Sequence, residues 1–100
     1  TGANLFAVRQ GVLWTPPAVH CLDGITRRSI IELARQAGMD VREAPLTLAD
    51  LYAASEIFLT GTAMEVLPVR QFVDVVMPHA KPVTRQLSDA YRRLVREITA

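Results

Sequence analysis

Residues 56–69 read Glu-Ile-Phe-Leu-Thr-Gly-Thr-Ala-Met-Glu-Val-Leu-Pro-Val, and this stretch limits the possible folds more than any other. Ile57, Phe58 and Leu59 form a short apolar run bounded by turn residues, which predicts a buried strand. Thr60, Gly61, Thr62 and Ala63 are small and predict a tight turn. Val66, Leu67 and Val69 begin a second apolar run, and Pro68 marks an edge or a bend. A strand that ends in Thr-Gly-Thr-Ala presents backbone N–H groups and hydroxyls with little bulk over them. Such a loop suits an anion, a phosphate or a carboxylate. Taken alone, an ordinary hairpin loop that contains glycine is the plainer reading.

A chain of 100 residues predicts one domain, long enough to bury a core. Eleven basic and 10 acidic residues leave a net charge of +1, which gives no case for nucleic acid or an anionic membrane as partner. The one cysteine, Cys21, cannot form an internal disulfide, so a reducing compartment is expected. No apolar run approaches the roughly 20 residues that span a bilayer. No basic region followed by an apolar core opens the chain, so no signal peptide is expected. Thr1 is not an initiator methionine and stands just before a strand, the expectation being a piece of a longer protein.

Asn4–Arg9 and Val12–Thr15 predict two strands joined at Gln10-Gly11, a hairpin stopped by Pro16-Pro17. A helix follows Leu22-Asp23-Gly24-Ile25-Thr26. Its predicted apolar stripe is Ile30, Leu33, Ala34 and Ala37, widened by Ile31, with Thr26 as N-cap and Gly38 as C′ residue. A helix start preceded by glycine offers free N–H groups and the positive end of the dipole to a phosphate. An ordinary capped helix is the plainer reading of that segment. Residues 39–44 predict a short strand, and Thr47 with Asp50 predicts a capping box on a short helix with Leu48, Leu51 and Tyr52 on one face. Residues 70–77 predict a further apolar strand. Pro82 opens the last helix, with Val83, Leu87, Ala90, Tyr91, Leu94 and Ile98 as its stripe. Arg85, Arg92, Arg93 and Arg96 lie off the stripe among Asp89 and Glu97, a solvated face.

Few side chains offer chemistry. His20 and His79 have no partner at metal-ligand spacing, so no metal site is expected. Cys21 has no activating base beside it and reads as a small apolar residue. Ser29, Ser55 and Ser88 sit in no nucleophile-elbow pattern. Lys81, the only lysine, lies in a polar loop. The residues thus offer two anion cradles and no catalytic side chain.

The order of several stretches carries a resemblance. They are Asn4-Leu5-Phe6, Gly11-Val12-Leu13, Thr15-Pro16-Pro17, Gly24-Ile25-Thr26-Arg27 and Ile31-Glu32-Leu33-Ala34 with Gly38. After them come Leu51-Tyr52, Glu56-Ile57-Phe58, Thr60-Gly61-Thr62-Ala63, Pro68-Val69 and Pro82-Val83-Thr84. The set resembles the C-terminal part of fold-type IV pyridoxal-phosphate enzymes, most closely the branched-chain amino acid aminotransferases. The resemblance implies an α/β fold, a mixed barrel-like sheet with outer helices, and pyridoxal 5'-phosphate as cofactor. It implies cofactor contacts at Leu22, Gly24, Ile25, Thr26, Gly61 and Thr62, with Leu22 packed on the pyridine ring. It implies that the substrate carboxylate meets the backbone N–H groups of Thr62 and Ala63. The family's Schiff-base lysine would lie upstream, and the glutamate that pairs with the pyridine nitrogen two residues before Thr1. Residues 1–100 would then be the C-terminal domain of a longer enzyme, inactive by itself, and Lys81 would have no catalytic role.

Met64 and Leu67 depart from the usual aminotransferase pattern and look like the related aminodeoxychorismate lyases, and the Phe72–Lys81 segment lacks an Asp-Gly turn. Those lyases, however, tend to carry Asn-Ala where this chain has Gly61-Thr62-Ala63, and the leading reading stays transamination of branched-chain amino acids with 2-oxoglutarate. An aminodeoxychorismate lyase, a D-amino acid transaminase and a non-catalytic binding domain stand as the alternatives. The implied partners are amino acid and oxo acid substrates, the chain's own N-terminal domain and further copies of itself in a homodimer or larger assembly, in the cytoplasm.

Overall fold

The computed structural model describes residues 3–18, 24–61 and 65–99. The N-terminal hairpin forms as expected. Strand β1 (Asn4–Arg9) pairs antiparallel with β2 (Val12–Thr15), Val8 facing Leu13. Gln10 and Gly11 take φ 51° and 76° between them. Two consecutive positive-φ residues make the turn whose twist matches that of a hairpin.

Helix α1 (Ile25–Gln36) follows, then β3 (Asp40–Glu43), which lies parallel to β2. A parallel pair needs a crossover, and α1 supplies it. Gly38, at φ 82°, ends α1. Its N–H donates to the Arg35 carbonyl, and that of Met39 to Ala34, both at 3.0 Å. That bond pair is a Schellman stop, which needs a residue free to adopt positive φ. Ile30, Ile31 and Ala34 are buried as the stripe predicts, but Ala37 is exposed because the helix has already reached its cap there.

Helix α2 (Leu48–Tyr52) carries the expected capping box: the Asp50 N–H donates to Thr47 Oγ1, and the Thr47 N–H to Asp50 Oδ2. Its proposed apolar face is not buried: Leu48 is 67% exposed and Tyr52 46%. Tyr52 meets only the edge of Phe72 among described aromatic rings. The organising stretch forms β4 (Glu56–Gly61) and β5 (Glu65–Pro68), an antiparallel pair in which Thr60 faces Val66. The expected strand over residues 70–77 is instead a small hairpin, β6 (Gln71–Phe72) and β7 (Val75–Val76), bent at Val73. Val73 has φ 56°, a conformation unfavourable to a β-branched residue, and Val76 is 74% exposed. Continuous apolar sequence here therefore does not mean one buried strand. Helix α3 (Pro82–Thr99) closes the fold.

The five-stranded sheet has the order β3-β2-β1-β4-β5. Alternation places Phe6, Val8, Leu13 and Phe58 on one face, where α1 and α3 cover them. Phe6 and Phe58 stack with ring centroids 4.9 Å apart. Leu87 and Tyr91 complete the core from α3, whereas Ile98 is 75% exposed, beyond the sheet's reach. Arg85, Arg92, Arg93 and Arg96 are exposed, as a solvated face requires. The architecture is mixed α/β, with two helices packed on one face of the sheet. No helix among the described residues is long and apolar enough to cross a membrane.

Candidate cofactor and substrate site

The start of α1 is the first half of the site. Gly24 is its N-cap, with extended backbone, and Ile25 its first helical residue. The expectation of Thr26 as N-cap is corrected. The helix begins earlier, so Thr26 lies within its first turn. A glycine N-cap has no side chain to occupy the first N–H groups, and the first turn holds no acidic residue. Those donors and the helix dipole together favour an anion. Ile25 is 72% exposed, whereas Thr26 is buried.

The end of β4 is the second half, and Asn4 joins it to the first. Asn4 and Thr60 are direct partners in the β1–β4 ladder, so their side chains share a face. A Cβ added at Gly24 would meet Asn4 Oδ1 at 3.4 Å, which places the helix start against the same end of the sheet. Thr60 is 1% exposed, and its Oγ1 has no hydrogen-bond partner among the described residues. Gly61 has no positive φ, and no neighbour lies within 4 Å of where its Cβ would stand. Its glycine is thus required neither by backbone conformation nor by packing within the described chain. A strand glycine of that kind marks a place where a ligand can approach the backbone closely. Of the expected site residues, Gly24, Ile25, Thr26 and Gly61 are brought to one end of the sheet. Leu22, Thr62 and Ala63 lie outside the described residues, as do His20 and Cys21.

Two buried charged groups hold these elements. Arg27, 2% exposed, donates through Nη2 to Glu43 Oε1 at 2.7 Å and to the Pro16 carbonyl at 3.0 Å. The contact ties the first turn of α1 to the ends of β2 and β3. Glu56 is 3% exposed and accepts from the N–H groups of Val83 (3.2 Å) and Thr84 (2.7 Å). A β4 carboxylate therefore caps α3 across 27 residues of sequence, where the side chain of Lys81, just before the helix, has no acceptor to offer. Lys81 itself donates to the Pro78 carbonyl at 2.8 Å.

Sequence reasoning missed Arg27, Glu56 and the Tyr91 hydroxyl as partners. Each left a signal. A cation in the first turn of a helix opposes the dipole and calls for a counter-charge. A carboxylate that opens a buried strand calls for donors. A tyrosine within an aliphatic stripe calls for a partner for its hydroxyl. That partner is Thr26, whose Oγ1 lies 3.1 Å from the Tyr91 hydroxyl. No group of three or more His, Cys, Asp or Glu side chains is placed to hold a metal among the described residues.

Known proteins share this fold. The family model for amino-transferase class IV matches residues 1–72. A putative branched-chain-amino-acid aminotransferase of Methanocaldococcus jannaschii is 44% identical over 95 residues, which are 92% of this chain and 33% of that protein. The solved Escherichia coli branched-chain amino acid aminotransferase superposes with a TM-score of 0.86 at 44% identity, over 93% of this chain and 32% of that one. Another branched-chain amino acid aminotransferase, solved in complex with N-(5'-phosphopyridoxyl)-L-glutamate, gives 0.89 at 39% identity, over 96% and 33% of the two chains. The chain thus spans about a third of the length of the relatives it matches. With the family model covering both halves of the site and the fold superposing over nearly its whole length, the chain belongs to the amino-transferase class IV family.

Proposed function

We propose that residues 1–100 are the C-terminal cofactor-binding domain of a pyridoxal-phosphate aminotransferase acting on branched-chain amino acids and 2-oxoglutarate. The observation that carries this reading is the glycine-capped start of α1 set against the end of β4 through Asn4. It is a site for one anionic group, assembled from two distant stretches of sequence. The match to aminotransferases of branched-chain amino acids supports the substrate class. The relative solved with N-(5'-phosphopyridoxyl)-L-glutamate supports glutamate and its oxo acid as the second pair.

The donor set fits a phosphate. The N–H groups of Ile25 and Thr26 and the hydroxyl of Thr26 hold it from one side, Gly61 and Thr62 from the other, and Leu22 packs on the ring. When bound, the cofactor supplies an electron sink that no protein side chain provides. This domain's part is to fix the ring's position through the phosphate. The backbone N–H groups of Thr62 and Ala63 receive the substrate carboxylate. Amino acid and oxo acid carry the same carboxylate, so one pair of donors serves both half-reactions. The lysine that bonds the cofactor and the rest of the pocket belong to the N-terminal part of the whole enzyme. A homodimer or larger assembly in the cytoplasm completes the reading.

The test is made on the whole protein. Leucine and 2-oxoglutarate together should yield glutamate and the branched oxo acid, and borohydride reduction should leave a pyridoxyl group on a lysine. Release of pyruvate from aminodeoxychorismate, without glutamate formation, would make the protein a lyase. A colourless protein with no pyridoxyl lysine would make it a non-catalytic binding domain.

A further inference from the structure

Thr26 and Tyr91 stand 65 residues apart in sequence, and their hydroxyl oxygens are 3.1 Å apart in the interior. Thr26 is 8% exposed and Tyr91 5%. Two hydroxyls carry two protons, and one O–H···O bond between them uses one. No second acceptor meets either hydroxyl among the described residues. One proton of the pair is therefore left to find an acceptor away from water, which an isolated buried pair would leave at a cost. Thr26 stands in the first turn of α1, where the open acceptor position is that of an anion at the helix start. A phenol is also a stronger donor than an aliphatic alcohol.

We propose that Tyr91 is a positioning residue for Thr26: its phenol donates to Thr26 Oγ1 and so commits the threonine's own proton to the cofactor phosphate. The inference rests on the phosphate reading given above. The bond fixes the Thr26 hydroxyl, which would otherwise rotate among three staggered positions. It also couples α3 to the cradle, since Tyr91 is buried in the core that α3 shares with α1. Glu56 anchors the start of α3, so the tyrosine's height along the sheet is set two turns before it.

The test measures equilibrium binding of pyridoxal phosphate to the whole apoprotein, with pyridoxal, which lacks the phosphate, as control. Thr26→Val should weaken pyridoxal phosphate binding by about 10- to 150-fold, the range for a hydrogen bond to a charged group. Tyr91→Phe removes a neutral bond and should weaken it by about 3- to 10-fold, with pyridoxal unaffected. The double variant should bind no worse than Thr26→Val alone, because Tyr91 acts only through that hydroxyl. Thr26→Ser should keep both the affinity and its sensitivity to Tyr91→Phe. Independent, additive losses would overturn the proposal, and so would an equal loss for pyridoxal, which would mark a fold defect. Unchanged binding in Tyr91→Phe beside a loss in Thr26→Val would overturn it while leaving the phosphate reading in place. Unchanged binding in Thr26→Val would overturn it as well, and would remove that hydroxyl from the phosphate's donors.

Discussion

Glu56 shows how a single side chain can decide the geometry of two elements. Its two oxygens take the N–H groups of Val83 and Thr84 at a depth where water does not compete. Removing a buried acceptor leaves the desolvation cost of each donor, about 1–3 kcal/mol apiece. Glu56→Ala should therefore loosen the start of α3 by about 2–6 kcal/mol. Hydrogen exchange in the whole protein should read this as faster exchange at the Val83 and Thr84 amides, with β1 unchanged. Exchange unaltered at both amides would show that the cap contributes nothing. Gly61 makes the opposite kind of case. A methyl group there meets nothing within 4 Å, and the backbone has no positive φ to forbid it. Gly61→Ala should leave thermal stability unchanged and weaken pyridoxal phosphate binding about tenfold or more, the loss of one charge-assisted bond. Equal affinity with and without the methyl would remove Gly61 from the site. Gly24, Thr26 and Gly61 could be singled out in the sequence as small residues at a helix start and a strand end, but only the resemblance to a family set them above an ordinary capped helix and an ordinary glycine loop. Arg27, Glu56 and Tyr91 were not legible as partners, since each finds its contact far along the chain and no local pattern encodes the distance.

Four features with local causes were read correctly, whereas the N-cap of α1 was placed at Thr26, two residues late. The Gln10-Gly11 hairpin, the Gly38 stop of α1, the Thr47–Asp50 capping box and the Pro82 start of α3 each depend on residues within one turn of one another. The capping box carries a pH dependence. The Asp50 carboxyl is held below its ordinary value of 3.8, first by the Thr47 N–H, then by the Thr47 hydroxyl, with a lesser contribution from Arg9. A depressed folded value means that the stabilisation is full above the unfolded value and is lost as pH falls through the folded one. Resonances of Thr47 and Asp50 should titrate together below pH 3.8, and Asp50→Asn should abolish that titration. A midpoint above the ordinary value would contradict the capping geometry. Residues 70–77 failed as one strand because apolar content carries no information on φ. Val73 holds a left-handed conformation while 66% exposed, so its side chain gains little from packing. Asparagine tolerates that conformation better, and Val73→Asn should stabilise the hairpin by about 1 kcal/mol. Proteolytic nicking at the hairpin, slower in the variant, would report it, and faster nicking would refute the strain.

The molecule as a whole joins a local crossover, β2-α1-β3, to a hairpin sheet in which β1 and β4 lie side by side despite 46 residues between Arg9 and Glu56. That pairing brings Asn4 opposite Thr60, and on the proposed reading it makes one site of two cradles. The sequence pattern supplied the strands but not their order, because alternation states which face a residue takes and not which strand lies beside it. The chain spans about a third of its relatives' length, and on the proposed reading the lysine that bonds the cofactor lies outside it. The 100-residue chain alone should therefore show no transamination of leucine with 2-oxoglutarate in the presence of pyridoxal phosphate. Turnover by this chain alone would contradict its role as one part of the pocket. The most direct measurement is a crystal structure of the whole protein with pyridoxal phosphate bound. The phosphate oxygens should lie about 2.7–3.2 Å from the N–H groups of Ile25 and Thr26 and from the Thr26 hydroxyl, with the Gly61–Thr62 backbone on the opposite side. A phosphate held elsewhere, with the start of α1 facing only water, would contradict it.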